Sequence, residues 1–315
     1  MSTKVQHPVF APKATPLVFG HRGTPLLHQE NSMAGFRRAA AMGIAGVEFD
    51  VFLTRDERVV VFHDADTERL TGVKGRIQEM TWDEIANLRL QKRVAMGKNA
   101  RGEEVVIDFP TEEPIPLLEE VLAELSGRLL MDIELKPELP SFGERHVGAH
   151  VAEVVRRAGA EARVVVTSFD FWKLGAVEKA HAALHTGIAY DDNFLDGTEP
   201  FLRSLPELRA EIGRAPGNQN PEMLIHALME ANPVGWAFGS TVVNAEHTLI
   251  DSNTVKRFHD RHMAVGAYTM FPLDTSSVKH PLPEPEEIER IRTLVAYGVD
   301  WFETDDPEKL QALLG

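Results

Sequence analysis

His21 and Arg22 close the run Val18-Phe-Gly-His-Arg-Gly23, and Glu48 and Asp50 stand two residues apart in Gly46-Val-Glu-Phe-Asp-Val51. Both runs read as buried strands. Side chains at i and i+2 of a strand point to the same face, so Glu48 and Asp50 can share one divalent cation. His63 follows a third apolar run, Arg58 to Phe62, and Glu134 and Lys136 repeat the i, i+2 spacing at the end of a fourth, Arg128 to Leu135. These strand ends offer imidazoles, carboxylates, a guanidinium and an ammonium. A hard cation held by carboxylate oxygens beside imidazoles and fixed positive charges is the equipment of phosphoryl chemistry.

The elements that must position these groups alternate between strand-like and helix-like. Leu17 to Gly20, Gly46 to Phe52 and Arg58 to Phe62 read as the first three strands, Arg128 to Leu135 as the fourth, Val164 to Ser168 as the fifth and His185 to Tyr190 as the sixth. Trp236 to Val243 and His262 to Met270 follow as the seventh and eighth, and Val299 to Glu303 is one strand-like piece too many. Helical stretches fall between them, among them Asn31 to Met42 with Gly43 as its stop, Arg145 to Ala158 and Glu284 to Tyr297, with further pieces near 200–212 and 221–231. Thr81-Trp-Asp-Glu84 is a capping-box pattern that starts a short helix, Trp82 to Leu90.

Such alternation predicts an α/β chain closed as a TIM (β/α)8 barrel. Residues 17–315 form the single barrel, 1–16 an N-terminal extension, and the polar, turn-rich stretch around 65–116 a surface insertion. One of the nine strand-like pieces must be misassigned or lie outside the ring. The rival is an open doubly wound sheet, which calls for a Gly-rich phosphate fingerprint after the first strand; Gly20-His-Arg-Gly23 is not one. In a parallel barrel every strand ends at one rim, where chemistry occurs. His21, Arg22, Glu48, Asp50, His63, Glu134 and Lys136 all fall at expected strand ends.

A net charge of −15 argues against a nucleic-acid-binding surface and offers no long-range attraction for an anion, which must then be met by local groups. Without cysteine, disulfides and thiolate metal sites are excluded. Residues Met1 to Pro16 lack the apolar core of a secretory signal, and no apolar run approaches the ~20 residues of a membrane helix. The expectation is a soluble, cytoplasmic protein.

The motifs, taken in order, resemble the glycerophosphodiester phosphodiesterase family. The resemblance rests on His21-Arg-Gly23, Glu30-Asn31, Gly46 to Val51, Val61-Phe-His-Asp64, Ile115-Pro-Leu-Leu-Glu119, Ile133-Glu-Leu-Lys-Pro137, Thr167-Ser-Phe-Asp170, and Gly298-Val-Asp300 with Thr304-Asp305, and it runs from about residue 17 to 312. It implies a TIM barrel of the PLC-like phosphodiesterase type and hydrolysis of glycerophosphodiesters to sn-glycerol 3-phosphate and an alcohol. It implies one divalent cation, Mg²⁺ or Ca²⁺, held by Glu48, Asp50 and Glu134. His21 and His63 match the catalytic histidines, and Arg22 and Lys136 the residues that bind the phosphate oxygens.

Other polar residues have plainer readings. His7, His146, His150, His181, His226, His259 and His262 read as structural histidines, and His28 as a solvated loop residue. Glu30 and Asn31 divide between helix-start roles, Asn31 or Ser32 as the cap and Glu30 beside the dipole, and a place behind the site. Asp132 shares the face of Glu134 one layer lower and suits a buried hydrogen bond there. Phe169, Tyr268 and Met270 are candidates for the alcohol end of the pocket, with core packing an equal reading for Phe169. Trp301 and Glu303 depart from the family pattern, which is smaller and aliphatic there. Two other functions compete. A lysophospholipase D or sphingomyelinase D on the same barrel would need a lipid-accepting surface that the sequence does not display. A catalytically silent phosphodiester-binding protein would be expected to have lost at least one of His21, Glu48, Asp50, His63, Glu134 and Lys136.

Overall fold

Eight parallel strands close on themselves in the computed structural model of the chain, whose described residues are 4–136, 146–191, 239–276, 278–279 and 281–315. The ring consists of β1 (Leu17–His21), β2 (Gly46–Leu53), β8 (Leu130–Leu135), β9 (Val164–Ser168), β10 (His185–Tyr190), β11 (Val242–Glu246), β12 (Ala264–Met270) and β13 (Trp301–Thr304). Each pairs with the next, and β1 closes the circle by pairing with both β13 and β2. Between β2 and β8 lie five short strands outside the ring: β3 (Val59–Val61), β4 (Arg89–Leu90), β5 (Arg93–Lys98), β6 (Glu104–Asp108) and β7 (Glu113–Pro114).

The surplus strand is therefore the expected third one. β3 runs antiparallel to β2, with Val51 opposite Val61 and Leu53 opposite Val59. A parallel neighbour needs a crossover of about a dozen residues, whereas Thr54 to Arg58 form a tight turn in which Thr54 N–H donates to Arg58 O and Glu57 takes a φ of 62°. The expected seventh strand is displaced to Val242–Glu246; residues 236–238, like the helical pieces near 200–212 and 221–231, lie outside the described residues. The helix expected over Trp82 to Leu90 is a single turn, Trp82–Ile85, with the capping box in place. It stops because Arg89 and Leu90 pair with Pro114 and Glu113.

Strand alternation sorts the side chains. On β2, Val47, Phe49 and Val51 face outward into the main apolar cluster, where Phe49 meets Phe36 of α1 (Met33–Met42) at a ring distance of 5.3 Å. Ser32 caps α1 by accepting from Gly35 N–H, and Gly43 ends it with a φ of 73°. Inward, the bore has an apolar floor of Phe19, Leu130, Val165, Val242, Ala264 and Trp301, joined from below by Val9. Above it come Asp132, Thr167, Asn244 and Glu303, then the charged rim. Gly266 makes room for the floor: a Cβ there would stand 2.2 Å from the Trp301 indole.

Residues 65–116 build a second apolar cluster around Phe62, Leu70, Ile77, Ile85 and Leu90. From it the β5–β6 hairpin reaches across the mouth and meets the segment after β12. Lys98 N–H donates to Asp274 Oδ1 at 3.0 Å and Thr275 N–H to Lys98 O at 2.8 Å. Among the described residues, no helix is long and apolar enough to cross a membrane.

Candidate active site

Strand register brings the first carboxylates together. His21 lies opposite Glu48, and Asp50 opposite Glu134, with Glu48 opposite Asp132 one layer down. One oxygen from each of Glu48, Asp50 and Glu134 lies within 4.8 Å of the others. Glu48 Oε2 accepts from Arg22 N–H at 3.1 Å, while Glu48 Oε1 is buried without a hydrogen-bond partner. Lys136 Nζ stands 3.2 Å from Asp50 Oδ1 and 2.9 Å from Glu134 Oε1. Asn31 grips Asp50 twice: its Nδ2 donates to Oδ2 at 2.9 Å, and its Oδ1 accepts from Asp50 N–H at 3.2 Å. Asn31 thus serves the carboxylate, and the cap of α1 falls to Ser32 alone. Both Arg22 and Asn31 carry positive φ, 53° and 58°. For asparagine this conformation is common; for arginine it is a local cost that the site bears.

These contacts pull the carboxylates apart electrostatically. Burial, with Asp50, Glu303 and Glu134 nearby, pushes Glu48 well above the ordinary carboxylate range, against the pull of Arg22. Burial opposes the charge of Asp50 too, but Lys136, His63, Arg22 and the Asn31 hydrogen bond outweigh it and hold Asp50 low. An unpartnered buried oxygen on a carboxyl group crowded by two others is the signature expected of a donor set suited to a cation. All three donors are hard oxygens, which fit Mg²⁺ or Ca²⁺.

Each imidazole is held at Nδ1. His21 Nδ1 lies 2.6 Å from Asp305 Oδ1, and His63 Nδ1 lies 2.6 Å from Asp64 Oδ1. An ionised carboxylate only accepts, so in both rings Nδ1 carries the proton and Nε2 is left for chemistry. His21 Nε2 stands 3.8 Å from Glu48 Oε2. Burial and the nearby Arg22 and Lys136 depress His63, against Asp50 and the Asp64 hydrogen bond. His63 reaches the rim from the antiparallel β3 rather than from a stave of the barrel. Arg22 Nη1 donates to Glu30 Oε1 at 3.2 Å, and its Nε lies 3.5 Å from Asp50 Oδ2. Burial opposes Glu30's charge, but Arg69 and Arg22 hold its pKa at about 2. Glu30 therefore works as a counter-ion inside the site. Glu30, His63 and Asp64 also cluster closely enough for a metal, but Arg69 already bridges both carboxylates.

The sequence reasoning missed Asp64, Asp305 and Arg69. The first two stood in quoted motifs, directly after His63 and after the last strand. Arg69, on the single turn α2 (Glu68–Thr71), gave no signal.

Beyond the carboxylates a cavity of about 1020 Å³ opens under the hairpin, lined by Phe169, Tyr268, Asn244 and Glu303 among others. Phe169 meets Tyr268 edge-on at 6.4 Å, and Tyr268 OH donates to Tyr190 O at 2.8 Å. Met270 instead packs in the outer cluster, fully buried. Asp132 accepts from Thr167 Oγ1 at 2.7 Å, and Asn244 Nδ2 donates to Glu303 Oε1 at 2.7 Å. Burial raises both Asp132 and Glu303 well above their ordinary range, and Asn244 Nδ2 lies between them, 3.4 Å from Asp132 Oδ2 and 2.7 Å from Glu303 Oε1. Asp132 is thus part of a buried network with Thr167 and Asn244 beneath the site.

Residues 21–309 match the glycerophosphoryl diester phosphodiesterase family. The chain belongs to this family. It is accordingly a phosphodiester hydrolase by class. A glycerophosphodiester phosphodiesterase of Caldanaerobacter subterraneus is 30% identical over 191 residues, which is 59% of this chain and 72% of that protein. Among solved structures, a glycerophosphodiester phosphodiesterase of Parabacteroides distasonis superposes with a TM-score of 0.62 at 21% identity, covering 96% of this chain and 98% of that one. An Oleispira antarctica phosphodiesterase, solved with the product sn-glycerol-3-phosphate, gives 0.61 at 17% identity over 95% and 96%. At these identities the two structures support the barrel, and the family membership rests on the sequence match.

Proposed function

We propose that this protein hydrolyses glycerophosphodiesters to sn-glycerol 3-phosphate and an alcohol, using a cation held by Glu48, Asp50 and Glu134 and an acid–base pair of His21 and His63. The observation that carries the reading is the trio of carboxylate oxygens within 4.8 Å of one another, with Glu48 Oε1 unpartnered among them. The product bound to the Oleispira antarctica relative supports the same substrate class.

Bound there, Mg²⁺ or Ca²⁺ supplies Lewis-acid polarisation of a phosphoryl oxygen. The chain's own residues do the rest. Arg22 spans two phosphate oxygens with its planar fork, and Lys136 adds a point charge. With Nδ1 of each imidazole engaged, Nε2 of one takes the proton from the nucleophile and Nε2 of the other gives a proton to the leaving alkoxide. The nucleophile is a water or the neighbouring glycerol hydroxyl, which would pass through a cyclic phosphate; both routes call on the same two rings. The aromatic wall of Phe169 and Tyr268 receives the alcohol. The test is choline release from glycerophosphocholine, with lysophosphatidylcholine in parallel, each with Mg²⁺ and with Ca²⁺. Turnover of the first substrate supports the proposal. Turnover of lysophosphatidylcholine alone would shift the assignment to a lysophospholipase D, and turnover of neither would reject it.

A further inference from the structure

Five N–H groups radiate from a guanidinium, and at Arg69 each meets an acceptor. Nε donates to Asp64 Oδ2 at 2.6 Å. Nη2 donates to Asp64 Oδ1 at 3.0 Å and to Glu30 Oε1 at 2.7 Å. Nη1 donates to Glu30 Oε2 at 3.0 Å and to the Ala95 carbonyl at 3.3 Å. Asp64 is the carboxylate behind His63, and Glu30 the one behind Arg22. Ala95 belongs to β5 of the roofing hairpin.

We infer that Arg69 is a positioning residue that orients His63 and Arg22 together and makes their alignment depend on the seating of the β5–β6 hairpin. A bidentate fork fixes the plane of each carboxylate it grips. One planar group gripping two carboxylates fixes them relative to each other. Asp64 then presents Oδ1 to the His63 ring, and Glu30 presents Oε1 to Arg22. A lysine keeps the charge but, with no fork, cannot hold both planes. The remaining N–H reads the backbone of the hairpin, whose far end is seated on Asp274 and Thr275. Arg69 thus joins the roof of the cavity to the groups that act beneath it. The inference rests on the acid–base role proposed for His63.

The experiment uses the full chain with glycerophosphocholine and saturating Mg²⁺ or Ca²⁺. Arg69→Lys is expected to lower kcat and raise KM together, reducing kcat/KM roughly 10- to 100-fold. Combined with Asp64→Asn, it is expected to cost little more than the worse single change, because both act through one linkage. Arg69→Met removes a positive charge near His63, so the imidazole limb of the pH–rate profile moves to higher pH; Arg69→Lys leaves that limb in place. If Arg69→Met fails to fold by circular dichroism, the lysine variant and the double-mutant cycle carry the test. Wild-type kcat and KM in Arg69→Lys overturn the inference, as does full multiplication of the two losses in the cycle. His63→Ala separates the layers. Retained activity there removes the acid–base reading and this inference with it. An inactive His63→Ala beside an unimpaired Arg69→Lys removes this inference alone.

Discussion

Asp305 reaches across the seam where the last strand of the barrel meets the first, and its Oδ1 lies 2.6 Å from His21 Nδ1. Its other oxygen, Oδ2, accepts from Leu273 N–H at 2.7 Å. One carboxylate therefore fixes the tautomer of the ring and the lip of the cavity. Asp305→Asn keeps the shape but can present its amide nitrogen to Nδ1, which favours the wrong tautomer. The expected result is a fall in kcat on the order of 10²-fold with KM nearly unchanged. An asparagine variant with wild-type kcat would remove Asp305 from the mechanism.

The two imidazoles themselves should matter more. His21→Ala and His63→Ala are each expected to lower turnover by at least ~10². Both side chains sit at the rim rather than in the floor, so melting temperatures should stay near that of the parent. Near-parental turnover in either variant rejects its acid–base assignment.

Cation binding can be read without any assay of activity. Added Mg²⁺ or Ca²⁺ should raise the melting temperature of chelator-treated protein, since a ligand at a hundredfold excess over its dissociation constant stabilises the fold by about 2.7 kcal/mol. Glu134→Gln and Glu48→Gln should abolish that shift. Chelator should also stop turnover, and either cation should restore it. A thermal shift that survives in both glutamine variants would place the ion elsewhere.

Two buried histidines, His7 in the N-terminal extension and His247 just after β11, predict the acid limb of stability. Burial, with His185 beside it, lowers His7 from 6.5 to about 4, and burial, with Arg290 beside it, lowers His247 from 6.5 to about 4. The unfolded chain therefore takes up protons first as pH falls. The contribution of each ring is complete above its unfolded value and is lost between about pH 6.5 and 4, on the order of 3 kcal/mol apiece. Urea midpoints measured across that window should drop steeply. His7→Gln should flatten part of the drop, and an unchanged slope in that variant would contradict the assignment.

Removing residues 1–16 should destabilise the barrel without altering its chemistry. Val9 is fully buried against the floor, Lys13 pairs with Asp300 at 3.0 Å and Lys4 with Glu178. Loss of the valine alone costs about 1.5–3 kcal/mol. A truncated chain that melts with the parent would show that the segment is dispensable.

The site was legible where its residues followed strand parity. Glu48 with Asp50, and Glu134 with Lys136, needed only the two-residue period of an extended chain. His63 was found for an incomplete reason: its strand looks like its neighbours in composition, and only the tight turn at Thr54 to Arg58 betrays its reversed direction. Asn31 was legible as polar but not as a partner of Asp50, because its positive φ turns it away from the capping position. Arg69 was invisible, since its value comes from contacts with Glu30 and Ala95, 39 and 26 residues away. The displaced seventh strand shows the limit of reading apolar runs without knowing where pairing begins.

Trp301 lies across the bottom of the barrel, flush with Gly266 and 6.3 Å from the ring of Phe19. With Val9 seated beneath, that end is stoppered. At that end the bore is closed by packed side chains, and the cavity opens on the side of the hairpin. A molecule bound in the cavity therefore has one end toward a sealed floor and the other toward the hairpin, and the two ends meet different surroundings.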